Sequence, residues 1–218
     1  SPSEKNLAKI VHRTYCDADP FIKRLEGGVF DGQIDAIFHQ GACSSTTEMD
    51  REYLRNNNTL YTQRLAEWCV KHGIYFSYAS SAATYGNGEH GYSDANALNA
   101  LLKPLNPYGQ SKLDFDIWAI ENGFDRKITG FRYFNVYGPN EYHKGDQMSV
   151  VCKLYPQVQA GAAARLFKSH HPDYQDGGQL RDFVWVGDIV DVMVWLYDNP
   201  GVNGLFNVGS GKARSFKD

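Results

Sequence analysis

Short apolar runs alternate with segments of helical periodicity between residues 34 and 134. The runs at 34–39, 74–79 and 128–134 have the length of buried strands. Apolar positions recur every three or four residues between 48 and 72, and again from Tyr108 onward, as they do in amphipathic helices. This alternation predicts a parallel α/β sheet whose functional loops lie at the carboxyl ends of the strands.

The patterns before and after this region are less regular. Residues 7–16 are predicted to form a short strand, and residues 19–25 a helix that ends at Gly27-Gly28. After Pro139 the predicted elements are a polar loop at 140–147, a helix at 148–160, a short strand at 165–167, a polar insertion at 168–179, an apolar run at 181–186, a helix at 188–198 and a strand at 205–208. We therefore expect a first domain over 1–139 and a smaller lobe over 140–218 that returns to the sheet.

A candidate for chemistry lies where the run at 74–79 gives way to small hydroxyl residues, followed by a Tyr-x-x-x-Lys pair at Tyr108 and Lys112. Residues four apart share a helix face, so the Lys112 ammonium is expected beside the Tyr108 phenol. A neighbouring cation favours the phenolate and would move the pKa of Tyr108 toward neutrality, where the phenol can exchange a proton with a substrate hydroxyl. Ser81, at the strand end, would add a hydroxyl to the same oxygen atom.

The Tyr-x-x-x-Lys spacing is weak evidence by itself, because it arises by chance and is then a solvated surface pair. Its context favours the catalytic interpretation. A strand that ends in Ser80-Ser81, an irregular connection and then a helix follow one another in the order of a doubly wound sheet.

A second candidate is the loop after the strand at 34–39. Residues 40–45 are mostly small, and small residues let the backbone approach a ligand closely. The alternative interpretation is an ordinary turn between a strand and a helix.

Composition narrows the class of partner. The net charge is -3 and the sequence pI is about 6.1, with no basic cluster, which argues against nucleic acid and favours small molecules or other subunits. The four cysteines lack metal-ligand spacing and are interpreted as reduced thiols of a cytoplasmic protein, and no metal site is expected. The sequence contains neither a signal peptide nor an apolar run that could span a bilayer, so no membrane partner is expected.

Several motifs together resemble the extended short-chain dehydrogenase/reductase family, whose fold is a Rossmann-like parallel sheet with a smaller substrate-binding lobe. The resemblance is carried by residues 39–48, 79–86, 108–112, 131–139, 143–145 and 181–184. Within the family, the segments at 41–48 and 143–145 are similar to the nucleotide-sugar epimerases that invert carbon 6 of an ADP-linked glycero-manno-heptose for the lipopolysaccharide inner core.

The resemblance implies a redox-neutral inversion that uses bound NADP, with NAD as the alternative cofactor. It also implies that the enzyme is a homo-oligomer. Hydride would leave carbon 6 of the heptose, the carbonyl would reorient, and hydride would return to its other face. The resemblance makes Tyr108 and Lys144 the two proton-handling groups. Lys112 would hold the nicotinamide ribose and tune Tyr108, while Ser81 would orient the sugar oxygen.

The resemblance also carries over two sets of binding residues. Those implied for the cofactor are Gln40, Gly41, Ala42, Cys43, Ser44, Asn57, Lys112, Val136 and Lys144. Those implied for the nucleotide sugar are Asn135, Asp146, Lys153, Phe167, Lys168, Ser169, His170 and Arg181. The Arg181 guanidinium suits a diphosphate, although Arg181-Asp182 is also a candidate for a structural ion pair.

The sequence departs from the family pattern in two respects. It lacks the glycine-rich phosphate loop of the first strand, and a further helix is expected to begin at residues 216–218, so we expect a fold that is incomplete at both ends. Asp146 and Lys153 stand where the family pattern has Ser and His.

Three other functions compete with this interpretation. A nucleotide-sugar 4,6-dehydratase would need a carboxylic acid after Ser81, where Ala82-Ala83-Thr84 offers none. A UDP-hexose 4-epimerase shares Ser81, Tyr108 and Lys112 but does not need Lys144. A non-catalytic dinucleotide-binding sensor would often lose the tyrosine or the lysine, and this chain keeps both.

Overall fold

The computed structural model describes residues 6, 8, 10, 11, 14–166, 168, 169 and 172–218. Their contacts form two compact units. The first, named here the α/β unit, comprises Thr14–Tyr133 and Met193–Asn207. The second unit comprises Phe134–Val192 and Val208–Asp218, with residues from the range 1–13. The predicted domains were instead continuous stretches that met at residue 139.

The α/β unit is built on a four-stranded sheet with the order β1-β2-β3-β6. The strands are β1 (Ala36–His39), β2 (Tyr75–Ser81), β3 (Thr129–Tyr133) and β6 (Gly204–Val208). The helical segments are α1 (Ala18–Glu26), α2 (Arg51–Leu54), a π-helical segment (Arg55–Leu60), α3 (Tyr61–His72), α4 (Pro107–Glu121) and 3-10 turns at Ala82–Tyr85, Asn96–Leu101 and Phe124–Arg126. Strand β2 is parallel to both β1 and β3, so their carboxyl ends lie at one edge of the sheet.

The core of this unit joins the helices to the central strand. Buried apolar residues of α1, α3 and α4 form one cluster with Phe76 and Tyr78 of β2. Helix α3 ends at Gly73, which adopts a left-handed conformation (φ 68°) and lets the chain turn directly into β2. The packed helices therefore fix the strand ends that carry the predicted chemistry.

The second unit contains a three-stranded sheet with the order β4-β5-β7. Its elements are β4 (Asn135–Tyr137), a 3-10 turn (Gly145–Gln147), α5 (Val150–Gln159), β5 (Leu180–Trp185) and β7 (Ala213–Ser215). Strand β5 pairs in parallel with β4 and antiparallel with β7. Helix α6 (Val186–Asp198) follows β5 directly, and the boundary between the units falls within it, after Val192.

Most predicted elements are confirmed, with ends that shift by a few residues. Two predicted strands are wrong where the structure describes them. Residues 10, 11 and 14–16 are not in a strand, and neither are Arg165 and Leu166. The sequence analysis also missed β7. This strand is short and has few apolar residues, and it is stabilised by its pairing with β5. In the described part of the chain, no helix is both long and apolar enough to cross a membrane.

Candidate functional site

The predicted catalytic residues Ser81 and Tyr108 meet in the α/β unit. Ser81 is the last residue of β2, and Tyr108 lies in the first turn of α4. Asn106 caps this helix by accepting a hydrogen bond from the Gly109 N–H at 2.7 Å, and Pro107 begins it. The Ser81 hydroxyl lies near enough to the Tyr108 phenol to lower its pKa. The two groups therefore interact, and their catalytic role stays a prediction.

Gly109 permits this approach of helix and strand end. A Cβ atom at Gly109 would lie 2.8 Å from the Ala83 carbonyl oxygen and 3.0 Å from the Pro104 Cβ. Distances this short are repulsive, so any larger residue would push the first turn of α4 away from the turn that follows Ser81. The small residue beside the tyrosine thus decides how closely phenol and hydroxyl approach.

The pKa of Tyr108 is raised from its ordinary value, because burial disfavours the phenolate more than the nearby Ser81 hydroxyl favours it. The Lys112 ammonium is directed to the Ala79 carbonyl oxygen, to which it donates at 2.8 Å. The predicted lowering of the Tyr108 pKa by Lys112 is therefore wrong for this structure. At neutral pH the phenol holds its proton.

Lys112 is itself strongly affected by its surroundings. Its side chain is buried, and this burial lowers the pKa of Lys112 from 10.5 to about 8, although Asp116 and Cys43 oppose the shift. An ammonium has three N–H donors, and the Ala79 carbonyl is the acceptor that it uses among the described residues. The remaining donors fit a ligand with hydroxyl or phosphate oxygens.

The loop after β1 is held in place by Asn58, a residue that the sequence analysis missed. The Asn58 side chain accepts from the Cys43 N–H at 2.9 Å and donates to the Cys43 carbonyl at 3.0 Å. It also donates to the Ser111 hydroxyl of α4 at 3.1 Å. The predicted Asn57 lies beside this clamp and donates to the Asn58 side chain at 3.2 Å. The sequence offers no signal that separates Asn58 from Asn56 and Asn57, because only the packing shows that Asn58 is buried.

The residues at the end of β1 have their own partners. The Gln40 side chain accepts a hydrogen bond from the Tyr133 phenol at 2.8 Å. The His39 ring lies 2.9 Å from the Thr62 hydroxyl. Burial is the main cause that lowers the pKa of His39 to about 4, and the nearby charge of Lys112 adds to the shift. His39 is therefore neutral at physiological pH.

The predicted residues of this loop suit a dinucleotide. Gly41 and Ser44 are exposed, and a Cβ atom added at Gly41 would meet no heavy atom within 4 Å. The backbone is thus open to close approach by a phosphate or ribose, while Lys112 offers its donors near the same strand ends. Within the described residues there is no group of three or more His, Cys, Asp or Glu side chains that could hold a metal ion.

Lys144 belongs to the second unit and lies in a loop anchored by Glu141. The buried Glu141 carboxylate accepts from the Gly138 N–H and from both the N–H and the hydroxyl of Ser149. The partly exposed Lys144 ammonium lies 3.5 Å from the same carboxylate. Burial alone would raise the pKa of Glu141. The pKa is nevertheless lowered, because the hydrogen bonds from Ser149 and the charge of Lys144 favour the carboxylate.

The predicted substrate residues of the second unit are spread over several elements. Asn135 and Val136 lie in β4, opposite Phe183 and Val184 of β5. Lys153 donates to the Asp146 carbonyl at 2.5 Å. The Ser169 N–H donates to the Asp176 carboxylate at 2.7 Å, and the Lys168 carbonyl accepts from Gln179 at 3.4 Å. The predicted residues Phe167 and His170 lie outside the described part of the chain.

Arg181 and Asp182 do not form the structural ion pair that the sequence also allows. The Asp182 carboxylate accepts from the Ser210 N–H and hydroxyl and from the Gly211 N–H. The exposed Arg181 side chain donates to the Leu180 carbonyl, and its guanidinium lies 5.9 Å from the Phe216 ring centroid. Asp182 therefore stabilises a turn, and Arg181 remains a candidate for an anionic ligand.

We expect Gly109→Ala to lower the free energy of unfolding by about 1–3 kcal/mol, because the clash with Ala83 outweighs the better helix propensity of alanine. Gly201→Ala is the matched control, since its Cβ atom would meet nothing within 4 Å, and we expect a change below about 0.5 kcal/mol. Urea unfolding of both variants measures the difference. Equal stabilities of the two variants would contradict the close contact.

The depressed pKa of Lys112 predicts a pH-dependent stability. Between about pH 8 and 10.5 the unfolded chain still binds a proton at Lys112 that the folded chain has released. Stability relative to a Lys112→Met variant should therefore rise with pH across this window, by on the order of 1–3 kcal/mol. Urea unfolding of both proteins at several pH values tests this, and a pH-independent difference would show that Lys112 titrates normally.

Comparisons with known proteins show which family this chain resembles. An ADP-L-glycero-D-manno-heptose-6-epimerase from Nitratidesulfovibrio vulgaris (strain DP4) is 52% identical over 214 residues, or 98% of this chain. A solved structure of ADP-L-glycero-D-manno-heptose-6-epimerase from Helicobacter pylori is similar with a TM-score of 0.77 and 32% identity, covering 93% of this chain and 61% of that one. A UDP-glucose 4-epimerase from Thermus thermophilus in complex with NAD gives a TM-score of 0.68 at 25% identity, covering 90% of this chain and 63% of that one.

The chain spans 66% of the length of the relative from Nitratidesulfovibrio vulgaris. Residues 1–209 match the NAD dependent epimerase/dehydratase family as a continuous segment that contains Ser81, Tyr108 and Lys112. The chain therefore belongs to the NAD dependent epimerase/dehydratase family.

Proposed function

We propose that the intact protein is a nucleotide-sugar epimerase that inverts carbon 6 of ADP-glycero-manno-heptose by transient oxidation and re-reduction. The proximity of the Ser81 hydroxyl to the Tyr108 phenol at the end of β2, with Lys112 one helical turn further along α4, is the observation that carries the proposal. The 52% identity to a protein named for this reaction supports the choice of substrate. The product would serve the synthesis of the lipopolysaccharide inner core.

Three side chains of the α/β unit would handle the sugar oxygen. Tyr108 holds its proton at neutral pH, so it can donate that proton as a carbonyl is reduced to an alcohol. Ser81 would orient the same oxygen through its hydroxyl. A bound oxidised nicotinamide dinucleotide would supply a hydride acceptor and a positive charge that favours the phenolate. Lys112 would hold a ribose hydroxyl while its ammonium is fixed by the Ala79 carbonyl.

We propose Lys144 as the second proton-handling group. Inversion presents the oxygen atom in two orientations, so a second acid/base lets each orientation be protonated and deprotonated. The local environment of Lys144 supports this role, because Glu141 anchors the loop at both ends while the ammonium stays partly exposed.

The binding residues follow the same proposal. Residues 40–44, Asn57, Lys112, Val136 and Lys144 would contact the cofactor. Residues Asn135, Asp146, Lys153, Phe167, Lys168, Ser169, His170 and Arg181 would contact the nucleotide sugar. We propose NADP as the cofactor, with NAD as the alternative, and a cytoplasmic homo-oligomer as the working form. All four cysteines are free thiols.

The same site could serve a UDP-hexose 4-epimerase, as the likeness to the enzyme from Thermus thermophilus suggests. Incubation of the intact protein with each nucleotide sugar, with NADP or NAD present, separates the two functions when the stereocentre is followed by NMR. Inversion at carbon 4 of a UDP-hexose, without change in the ADP-heptose, would refute the proposed substrate.

Tyr108→Phe should lower the rate of epimerisation by about 10²- to 10⁴-fold, because it removes the acid/base group and leaves the ring in place. Cofactor affinity, followed by fluorescence titration, should change less than about twofold. Tyr53→Phe removes the same hydroxyl from an exposed position on α2 and should leave both quantities unchanged. Unchanged turnover of Tyr108→Phe would remove Tyr108 from the mechanism.

Lys144→Met should lower the rate of epimerisation by at least about 10²-fold if this ammonium handles a proton. Lys71→Met, at an exposed position in the last turn of α3, is the control and should retain full activity. Hydrogen exchange with solvent at the epimerised centre should remain absent in both variants. Full activity of Lys144→Met would favour an enzyme that needs only Ser81, Tyr108 and Lys112.

A further inference from the structure

The Asp116 carboxylate lies at the centre of a buried polar cluster beneath the candidate site. It is fully buried and lies one helical turn beyond Lys112 on α4. The Tyr78 phenol donates to one carboxylate oxygen at 3.0 Å, and the Ser80 hydroxyl donates to the other at 2.8 Å. Arg132 completes the cluster with two N–H groups, at 3.1 and 2.9 Å from the second oxygen.

These bonds join three elements at one point. Asp116 belongs to α4, which carries Tyr108 and Lys112, while Ser80 precedes Ser81 on β2. Arg132 belongs to β3 and is the register partner of Ser80. The carboxylate therefore fixes the helix with the phenol against the strand with the hydroxyl.

The cluster also reaches the chain on the other side of Ser81. Arg132 donates to the Tyr85 phenol at 3.3 Å, and its guanidinium lies 4.9 Å from the centroid of that ring. It also donates to the Asn99 side-chain oxygen. Tyr85 in turn donates to Asn207 at 2.6 Å. The residues before and after Ser81 are thus both tied to the same buried ion pair.

A buried ion pair is weak evidence for stability, because removing both charges from water offsets much of their attraction. Two charges at the junction of β2, β3 and α4 instead suggest a positional role. An ion pair with bonds to several elements tolerates one arrangement of them, whereas an apolar contact tolerates many.

We infer that Asp116, held by Arg132, is the positioning residue of this site, which sets the approach of Tyr108 to Ser81 and fixes the charge next to Lys112. This inference rests on the proposed function for its kinetic consequences. Its electrostatic consequence does not depend on turnover.

The charged and titratable groups around Lys112 have opposing effects. Asp116 on α4 and Cys43 in the loop after β1 favour the ammonium, while burial disfavours it. His39 at the end of β1 interacts with Lys112 and is neutral at physiological pH. Removal of the Asp116 charge should therefore move the titration of Lys112 to lower pH.

A pair of serines on β2 tests the positioning role. Ser80 and Ser77 are both buried, and of the two only Ser80 donates to Asp116. In the intact protein, Ser80→Ala should lower kcat about 10-fold, because the strand end beside the phenol is displaced, with KM within about twofold. Ser77→Ala should leave both constants unchanged. Equal effects of the two substitutions would overturn the inference.

Asp116→Asn tests the electrostatic role with a readout other than activity. NMR titration of the lysine Nζ and Cε signals in isotope-labelled protein, assigned with Lys112→Met, follows the protonation of Lys112 directly. The midpoint should fall by about 1–2 pH units in Asp116→Asn. An unchanged midpoint in the folded variant would overturn the inference, and if this variant fails to fold, the comparison of the two serines decides.

The two proposals can fail separately. Absence of epimerisation by the wild-type protein on every nucleotide sugar rejects the proposed function, and the titration of Lys112 then decides the inference. Epimerisation with equal rates in Ser80→Ala and Ser77→Ala retains the proposed function and rejects Asp116 as the positioning residue.

Discussion

The α/β unit depends on one buried ion pair, between Asp116 of α4 and Arg132 of β3, whose side chains are both fully shielded from solvent. Its charges cannot be left unpaired in this interior without a large cost, so the three elements that bond to it have little freedom to move. The helix with Tyr108 and the strand with Ser81 are both held by this pair. The geometry of the candidate site is therefore a consequence of core electrostatics as much as of the site residues themselves.

Burial shapes the acid/base properties of the same site. It raises the pKa of Tyr108, lowers that of Lys112 to about 8 and lowers that of His39 to about 4. Each shift favours the neutral form of its group. At neutral pH Tyr108 and His39 are uncharged, while Lys112 remains mostly an ammonium that can attract the phosphates of a dinucleotide. The acid/base pair is then adjusted by the ligands, which suits a reaction that requires the phenol to give up its proton and take it back.

The second unit supports the proposal in a different way. Its loop with Lys144 is organised by Glu141, a buried carboxylate that accepts hydrogen bonds from backbone and side chain at both ends of the loop. Asp182 has a comparable role at the turn of Ser210 and Gly211. In both places a carboxylate replaces regular secondary structure as the source of local order. Arg181 and Lys144 are thereby left with solvent-accessible charge next to ordered backbone.

The sequence alone determined the alternation of strands and helices, because a buried parallel strand needs a short apolar run and its flanking helix an amphipathic period. It also predicted that Ser81 and Tyr108 lie close together, because in a doubly wound sheet the helix that follows a strand packs back against that strand. Only the tertiary structure decided the protonation of Tyr108 and Lys112, since desolvation depends on every atom packed around a group and not on its neighbours in sequence. The tertiary structure also identified Asn58 and Asp116, polar residues that a pattern analysis assigns to a solvated helix face until the packing shows them buried and bonded to the elements of the site.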